Sequence, residues 1–174
     1  MLERQNIYIP KRSERLSELF FARDVITVAK DLLGRTLVRE RPRGATLYAK
    51  ICEVAAYEGN TEESMTEGAS YAPGTLSIST KYGKRLLDIA TDRTGKQSCI
   101  TLIAGLVGDK RGVRELVQGP GKLTAALEID KDLDGLLLRD SPLWIGGQAI
   151  EEEEILERRL ANTPFNCKGY YYFR

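Results

Sequence analysis

Between Thr36 and Leu106 the chain lays down strand-like segments one after another, with no amphipathic helix between them. Thr36 to Glu40 and Thr46 to Tyr57 read as strands joined by a Pro/Gly turn at Pro42–Gly44. Thr75 to Thr80 and Arg85 to Thr91 read as the arms of a hairpin, and Ser98 to Leu106 as a further strand. Regular βαβ alternation is therefore missing, and the fold class is α+β. Helices are expected at the flanks, from Ser13 to Phe21 and from Arg23 to Leu33. In the second, Val25, Val28, Ala29, Leu32 and Leu33 form a stripe at helical spacing and Gly34 follows as a stop. Further helical pieces are expected at Asp109–Val117 and Lys122–Leu127, and short strands near Leu136–Leu138, Leu143–Ile145 and Tyr170–Phe173. No repeat, low-complexity tract or linker divides the 174 residues, so the expectation is one domain spanning 1–174.

Charge narrows the partners. The net charge is +1, so any nucleic-acid surface has to be a local patch. No apolar run approaches the roughly 18 residues of a membrane span. The charged start, MLERQNIYIPKRSERL, lacks the apolar stretch of a signal peptide. Cytoplasmic residence is the expectation, with nucleoid association in a bacterium, no membrane partner and a monomeric state. The run Glu151–Glu154 reads as solvated surface.

Cys52, Cys99 and Cys167 are far apart and form no CxxC pair; Cys52 and Cys99 sit in apolar strands and read as reduced core thiols. With no histidine in the chain, neither a metal site nor another cofactor is expected. Acid–base chemistry falls to Asp, Glu, Lys, Tyr or Cys.

Three segments suggest function. In Ile51-Cys-Glu-Val-Ala-Ala-Tyr57, strict alternation puts Cys52, Val54 and Ala56 on a core face and Ile51, Glu53, Ala55 and Tyr57 on the other. An acid and an aromatic on one face suit a cleft, and a merely solvated face fits the same pattern. In the hairpin, Tyr82-Gly83 falls where the chain must turn, ringed by Lys81, Lys84 and Arg85. Such a tip suits a duplex probe, the cations holding phosphates and the ring entering the base stack. The third segment, Gln118-Gly-Pro-Gly-Lys-Leu123, opens a helix whose N–H groups, with Lys122, suit a phosphate.

These motifs stand in an order that resembles a known family. LLG-x-x-LV at 32–38, E-x-x-AY-x-G at 53–59, PGTL at 73–76, YG at 82–83 and GPGKL-x-x-AL-x-I at 119–129 are similar to the alkyladenine (3-methyladenine) DNA glycosylases. The resemblance implies one mixed domain, a curved antiparallel sheet flanked by short helices, with a protruding DNA-probing hairpin. It implies a metal-free DNA-repair hydrolase that flips an alkylated or deaminated purine out of double-stranded DNA and cuts its N-glycosidic bond. By that resemblance Tyr57 stacks on the flipped base, Tyr82 fills the vacated place, and Glu53 is the first acid of the family's E-x-E-A-Y stretch. Asp88 falls, to within one residue, on a base-discriminating asparagine.

The chain also departs from the pattern. The acid that activates water in the family falls on Ala55, the pocket histidine near Thr66, a second base-stacking aromatic on Ser79 and a water-orienting arginine on Ile103. Glu53 and Asp88 are the carboxyls left to replace the missing one. The alternative on the same fold is a lesion binder with weak or no hydrolysis. A different class, a sheet scaffold for RNA or protein, would show no preference for damaged duplex.

Overall fold

The computed structural model describes residues 6–59, 71–92, 98–159 and 169–173. Among them the strands are β1 (Thr36–Arg39), β2 (Leu47–Tyr57), β3 (Leu76–Lys81), β4 (Lys84–Thr91), β5 (Ser98–Asp109), β6 (Gly112–Gln118), β7 (Leu143–Gly146), β8 (Leu156–Arg159) and β9 (Gly169–Phe173). The helices are α1 (Glu18–Phe21), α2 (Val25–Leu32) and α3 (Pro120–Ala126).

The spine is the antiparallel pair of β2 and β5, and each of its outer edges is shared by two shorter strands. On β5, β4 pairs with Ser98–Thr101 and β6 with Ala104–Asp109. On β2, β1 pairs with Leu47–Lys50 and β9 with Glu53–Tyr57. One end of the spine therefore carries the order β3-β4-β5-β2-β9-β8, and the other β6-β5-β2-β1-β7. All these pairings are antiparallel, as the succession of strands without crossovers requires. The α+β class and the curled antiparallel sheet hold.

Alternation along β2 is interrupted. Ile51 pairs with Gly105 and Val54 with Leu102, and between them the pairing skips Cys52 on β2 and Ile103 on β5. The pleat thus slips in both strands at once. Ala49, Ile51, Val54 and Ala56 all lie in the main core, while Cys52 is only half-buried. The expectation of Cys52 in the core and Ile51 outside is corrected: the slip exchanges them. Cys99 is likewise half-buried, on the face opposite its core neighbours Ile100 and Leu102.

The core covers one face of the sheet. Helix α2 supplies Val25, Val28, Ala29 and Leu32, capped by Asp24, whose carboxylate accepts from the Thr27 N–H at 3.1 Å. Gly34 ends that segment at φ +86°, and its N–H donates to the Ile51 carbonyl at 2.9 Å. On the opposite face a second cluster of Ile7, Val38, Tyr48 and Trp144 closes the β1–β7 end. Arg15 stacks over Trp144 at 5.1 Å, and the indole N–H donates to Glu40 at 2.9 Å.

Other boundaries differ from expectation. Ser13 to Phe21 is not one helix but a 3-10 turn at Arg12–Glu14 followed by α1, because the Leu16 N–H leaves helical bonding to donate to Ile145 at 2.9 Å. Asp109–Val117 is a hairpin and β6, not a helix. Gly112 turns the chain at φ +120°, and the Asp109 carboxylate fixes the turn by accepting the Arg111 N–H at 2.8 Å. Leu138–Asp140 is a 3-10 turn, with Leu137 in a single bridge to Thr75. Strand β8 was not anticipated. Glu151–Glu154 is exposed, as expected.

The slip yields a direct test. Ile51→Ala removes a core side chain and should cost about 2–5 kcal/mol. Cys52→Ala should cost far less, although strict alternation would rank the two the other way. Denaturant unfolding of both variants measures the order.

Candidate active site and nucleic-acid interface

Residues opposite one another in an antiparallel pair share a face. Applied across six strands, this rule draws one row on the face away from the main core: Arg158 on β8, Tyr171 on β9, Ala55 on β2, Thr101 on β5, Asp88 on β4 and Ser77 on β3. Glu53 and Tyr57 flank Ala55 on the same face, and Ser79 lies two residues beyond Ser77. Ile103 lies two residues beyond Thr101, where the pairing slips. The structure thus gathers Glu53, Ala55, Tyr57, Ser79, Asp88 and Ile103 onto one surface. Thr66 lies outside the described residues.

Asp88 is the acid best placed to do chemistry in this row. The Thr101 hydroxyl donates to its Oδ1 at 2.5 Å, and Thr101 itself is buried. Burial raises the Asp88 pKa; the Thr101 hydrogen bond and the charge of Lys81 pull only partly the other way. The carboxyl is thereby moved towards the range in which an acid can give as well as take a proton. Ala55 has no exposed surface, and its methyl group offers no proton acceptor.

The hairpin projects from the same strands. β4 pairs with β5 only from Asp88 onward, so residues from Ile78 to Leu87 pair only with each other, as a hairpin beyond the edge of β5. Tyr82 and Gly83 make the turn with φ of +51° and +74°, the pattern of a two-residue type I′ connection. Tyr82 is fully exposed. A bulky residue at positive φ carries strain of order 1–3 kcal/mol, which points to a use for the ring.

Below the tip, α3 packs on β4. A Cβ on Gly121 would lie 2.8 Å from the Lys84 side chain, and Thr124 donates to the Arg85 carbonyl at 2.8 Å. Between hairpin and helix lies a cleft of about 610 Å³ lined by Lys84, Arg85, Lys122 and Lys131. Lys81, Lys84, Arg85 and Lys122 are all exposed. The expected phosphate nest of free N–H groups is reduced: Gly119 donates to Ile103 at 2.9 Å, and Pro120 has no N–H. Side-chain cations dominate this surface.

Residues 19–161 match the sequence profile of the family described as methylpurine-DNA glycosylase. The chain belongs to the methylpurine-DNA glycosylase family. A Streptomyces avermitilis relative named "Putative 3-methyladenine DNA glycosylase" is 33% identical over 141 residues, covering 69% of this chain and 66% of the relative. A Salinibacter ruber protein of the same name is 31% identical over 172 residues, covering 82% of this chain and 84% of its own. The "DNA-3-methyladenine glycosylase" of Mus musculus is 31% identical over 182 residues, covering 85% of this chain and 54% of its own. The chain thus spans about half the length of the mouse protein and about two thirds of the Streptomyces one.

Within this methylpurine-DNA glycosylase fold, sequence reasoning missed Thr101, Tyr171 and Arg158. Thr101 was legible as the lone hydroxyl in Ile100–Leu106, but its partner was not, because pairing register is a property of two strands. Tyr171 sits in Tyr170-Tyr-Tyr-Phe173, where composition cannot say which ring faces the core. Tyr172 does, and Tyr171 does not. Among the described residues, no three His, Cys, Asp or Glu side chains are grouped to hold a metal ion.

Asp88 gives a pH test. A carboxyl whose pKa rises on folding holds its proton more tightly in the folded chain. It therefore costs no stability below the unfolded value of 3.8, and costs progressively more as pH climbs from there through its raised folded value. Asp88→Asn keeps an acceptor for Thr101 and cannot ionise. It should raise the melting temperature relative to the parent near neutral pH and bring no such gain in the acid range below 3.8. An equal offset at both pH values would show that ionisation of Asp88 is not what the fold resists.

Proposed function

We propose that this chain is a DNA-repair glycosylase that binds double-stranded DNA, flips a damaged purine against Tyr57 and hydrolyses its N-glycosidic bond. The family places it among DNA glycosylases. The observation that carries the finer reading is the hairpin: a fully exposed, strained Tyr82 ringed by exposed cations, on strands that run directly into the face bearing Tyr57 and Asp88. The ring occupies the place of the flipped base, and a stacked base gains on the order of 1–3 kcal/mol from the aromatic that receives it. Flipping costs a few kcal/mol and least for a damaged base, so selection begins there.

Hydrolysis needs a proton acceptor for water or a donor for the leaving purine. A positioned acid or base contributes roughly 10²–10⁴-fold. With Ala55 in the family's acid position, Asp88 is the replacement we favour: it stands in the same row across Thr101, and its raised pKa suits proton transfer to the departing base. Glu53 lies on the same face, about 6–7 Å along β2 from Ala55, against about 10 Å for Asp88 two strands across.

Single-turnover release of hypoxanthine from duplex DNA tests this. The parent should release the base, Asp88→Asn should slow release at least 10²-fold, and Glu53→Gln should slow it less. Ala55→Glu should then speed release, placing a carboxylate beside Tyr57. Tight lesion binding without release by either the parent or Ala55→Glu would establish a binder that does not hydrolyse.

The hairpin makes two further demands. Asn-Gly is the favoured type I′ pair, so Tyr82→Asn should keep or raise thermal stability while weakening binding to a lesion duplex far more than to single strands. If Lys81, Lys84, Arg85 and Lys122 hold about four phosphates, log K against log salt should fall with a slope of about −3 to −4. A flat salt titration would remove DNA from the partners of this surface.

A further inference from the structure

The base-receiving face has one aromatic by resemblance, Tyr57, and Ser79 stands where a second would be. The C-terminal strand brings an aromatic to the same face. On β9, Tyr171 pairs with Ala55 and Gly169 pairs with Tyr57. These four residues form a square on one face of the sheet. Tyr57 and Tyr171 occupy one diagonal, and the two smallest residues, Ala55 and Gly169, occupy the other.

Diagonal neighbours in an antiparallel pair are about 7–8 Å apart. A flat base stacked between two rings needs two van der Waals gaps of about 3.5 Å each, so roughly the same distance. Neither small corner puts more than a methyl group between the two rings. The ring of Tyr171 is only partly buried, and the Arg158 guanidinium stacks on it at 5.4 Å from the edge strand β8. The alternation of β9 is fixed by its other face, where Tyr172 is anchored in the main core and stacks with Tyr170 at 6.3 Å. Tyr171 therefore has no alternative but the face that carries Tyr57.

We infer that Tyr171 is the second aromatic wall of the base pocket, closing on the flipped purine opposite Tyr57, and that the C-terminal hairpin β8–β9 is part of the recognition site. This rests on the reading that a purine is flipped onto the Tyr57 face.

The test compares affinities for two duplexes. One carries a hydrolysis-resistant 2′-fluoro hypoxanthine nucleotide, and the other a tetrahydrofuran abasic analogue at the same place. A residue that stacks on the base matters only when a base is present. Tyr171→Ala and Tyr171→Leu should each lose about tenfold on the hypoxanthine duplex and bind the abasic duplex as the parent does, which also shows that they are folded. Tyr171→Phe should keep both affinities. Parental affinity of Tyr171→Ala for the hypoxanthine duplex would overturn the inference, and so would an equal loss on both duplexes. If the parent itself does not prefer the hypoxanthine duplex to an unmodified one, base flipping fails and this inference falls with it. If that preference is present and survives Tyr171→Ala, only the inference fails.

Discussion

At residues 51–54 of β2 and 102–105 of β5 the pleat slips by one residue in both strands of the spine together. Everything beyond that point depends on it. Without the slip, the parity that buries Ala49 and Ile51 would also bury Glu53 and Tyr57, and would turn Val54 and Ala56 outward. A carboxylate driven into an apolar core has a large desolvation cost, and such a strand would not persist. The slip satisfies two demands at once. The first half of β2 keeps its core contacts with α2, and the second half presents an acid, a methyl group and a phenol on the opposite face.

The same place is where the sheet branches. β1 gives way to β9 along the edge of β2, and β4 gives way to β6 along the edge of β5. An irregular ladder is a natural boundary for a partner strand, because continued pairing would leave its bonds out of step. The result is a sheet whose two ends have different tasks. At one end the second face is closed by Ile7, Val38, Tyr48 and Trp144. At the other it is left for Tyr57, Asp88 and their neighbours.

Much of this was legible in the chain itself. The hairpin turn at Tyr82–Gly83, the α2 stripe and the strands at 36–40, 46–57 and 98–106 follow from local rules, and local rules also govern their formation. What escaped was non-local. The exchange of Ile51 and Cys52 requires knowing that Ile103 is skipped on a strand far along the chain. Asp109–Val117 reads as a helix because Val113, Leu116 and Val117 stand at helical spacing, while the deciding contacts are the positive φ of Gly112 and the carboxylate of Asp109. The candidate site divides in the same way. Glu53, Tyr57, Asp88 and Tyr82 were visible as residue types in suggestive places. Thr101, Tyr171 and Arg158 became visible only when register placed them in the row of Ala55.

The separation of β4 from β5 before Asp88 has a mechanical consequence. A hairpin that leaves its sheet is a lever, and any force on its exposed tip at Tyr82 has to be resisted somewhere. The fulcrum is α3, where Gly121 lies against Lys84 and Thr124 holds the Arg85 carbonyl. This helix is seven residues long and is braced from behind by Leu123 and Leu127 in the core. The stiffness of the tip is therefore set by the seating of a short helix on the core rather than by the tip itself.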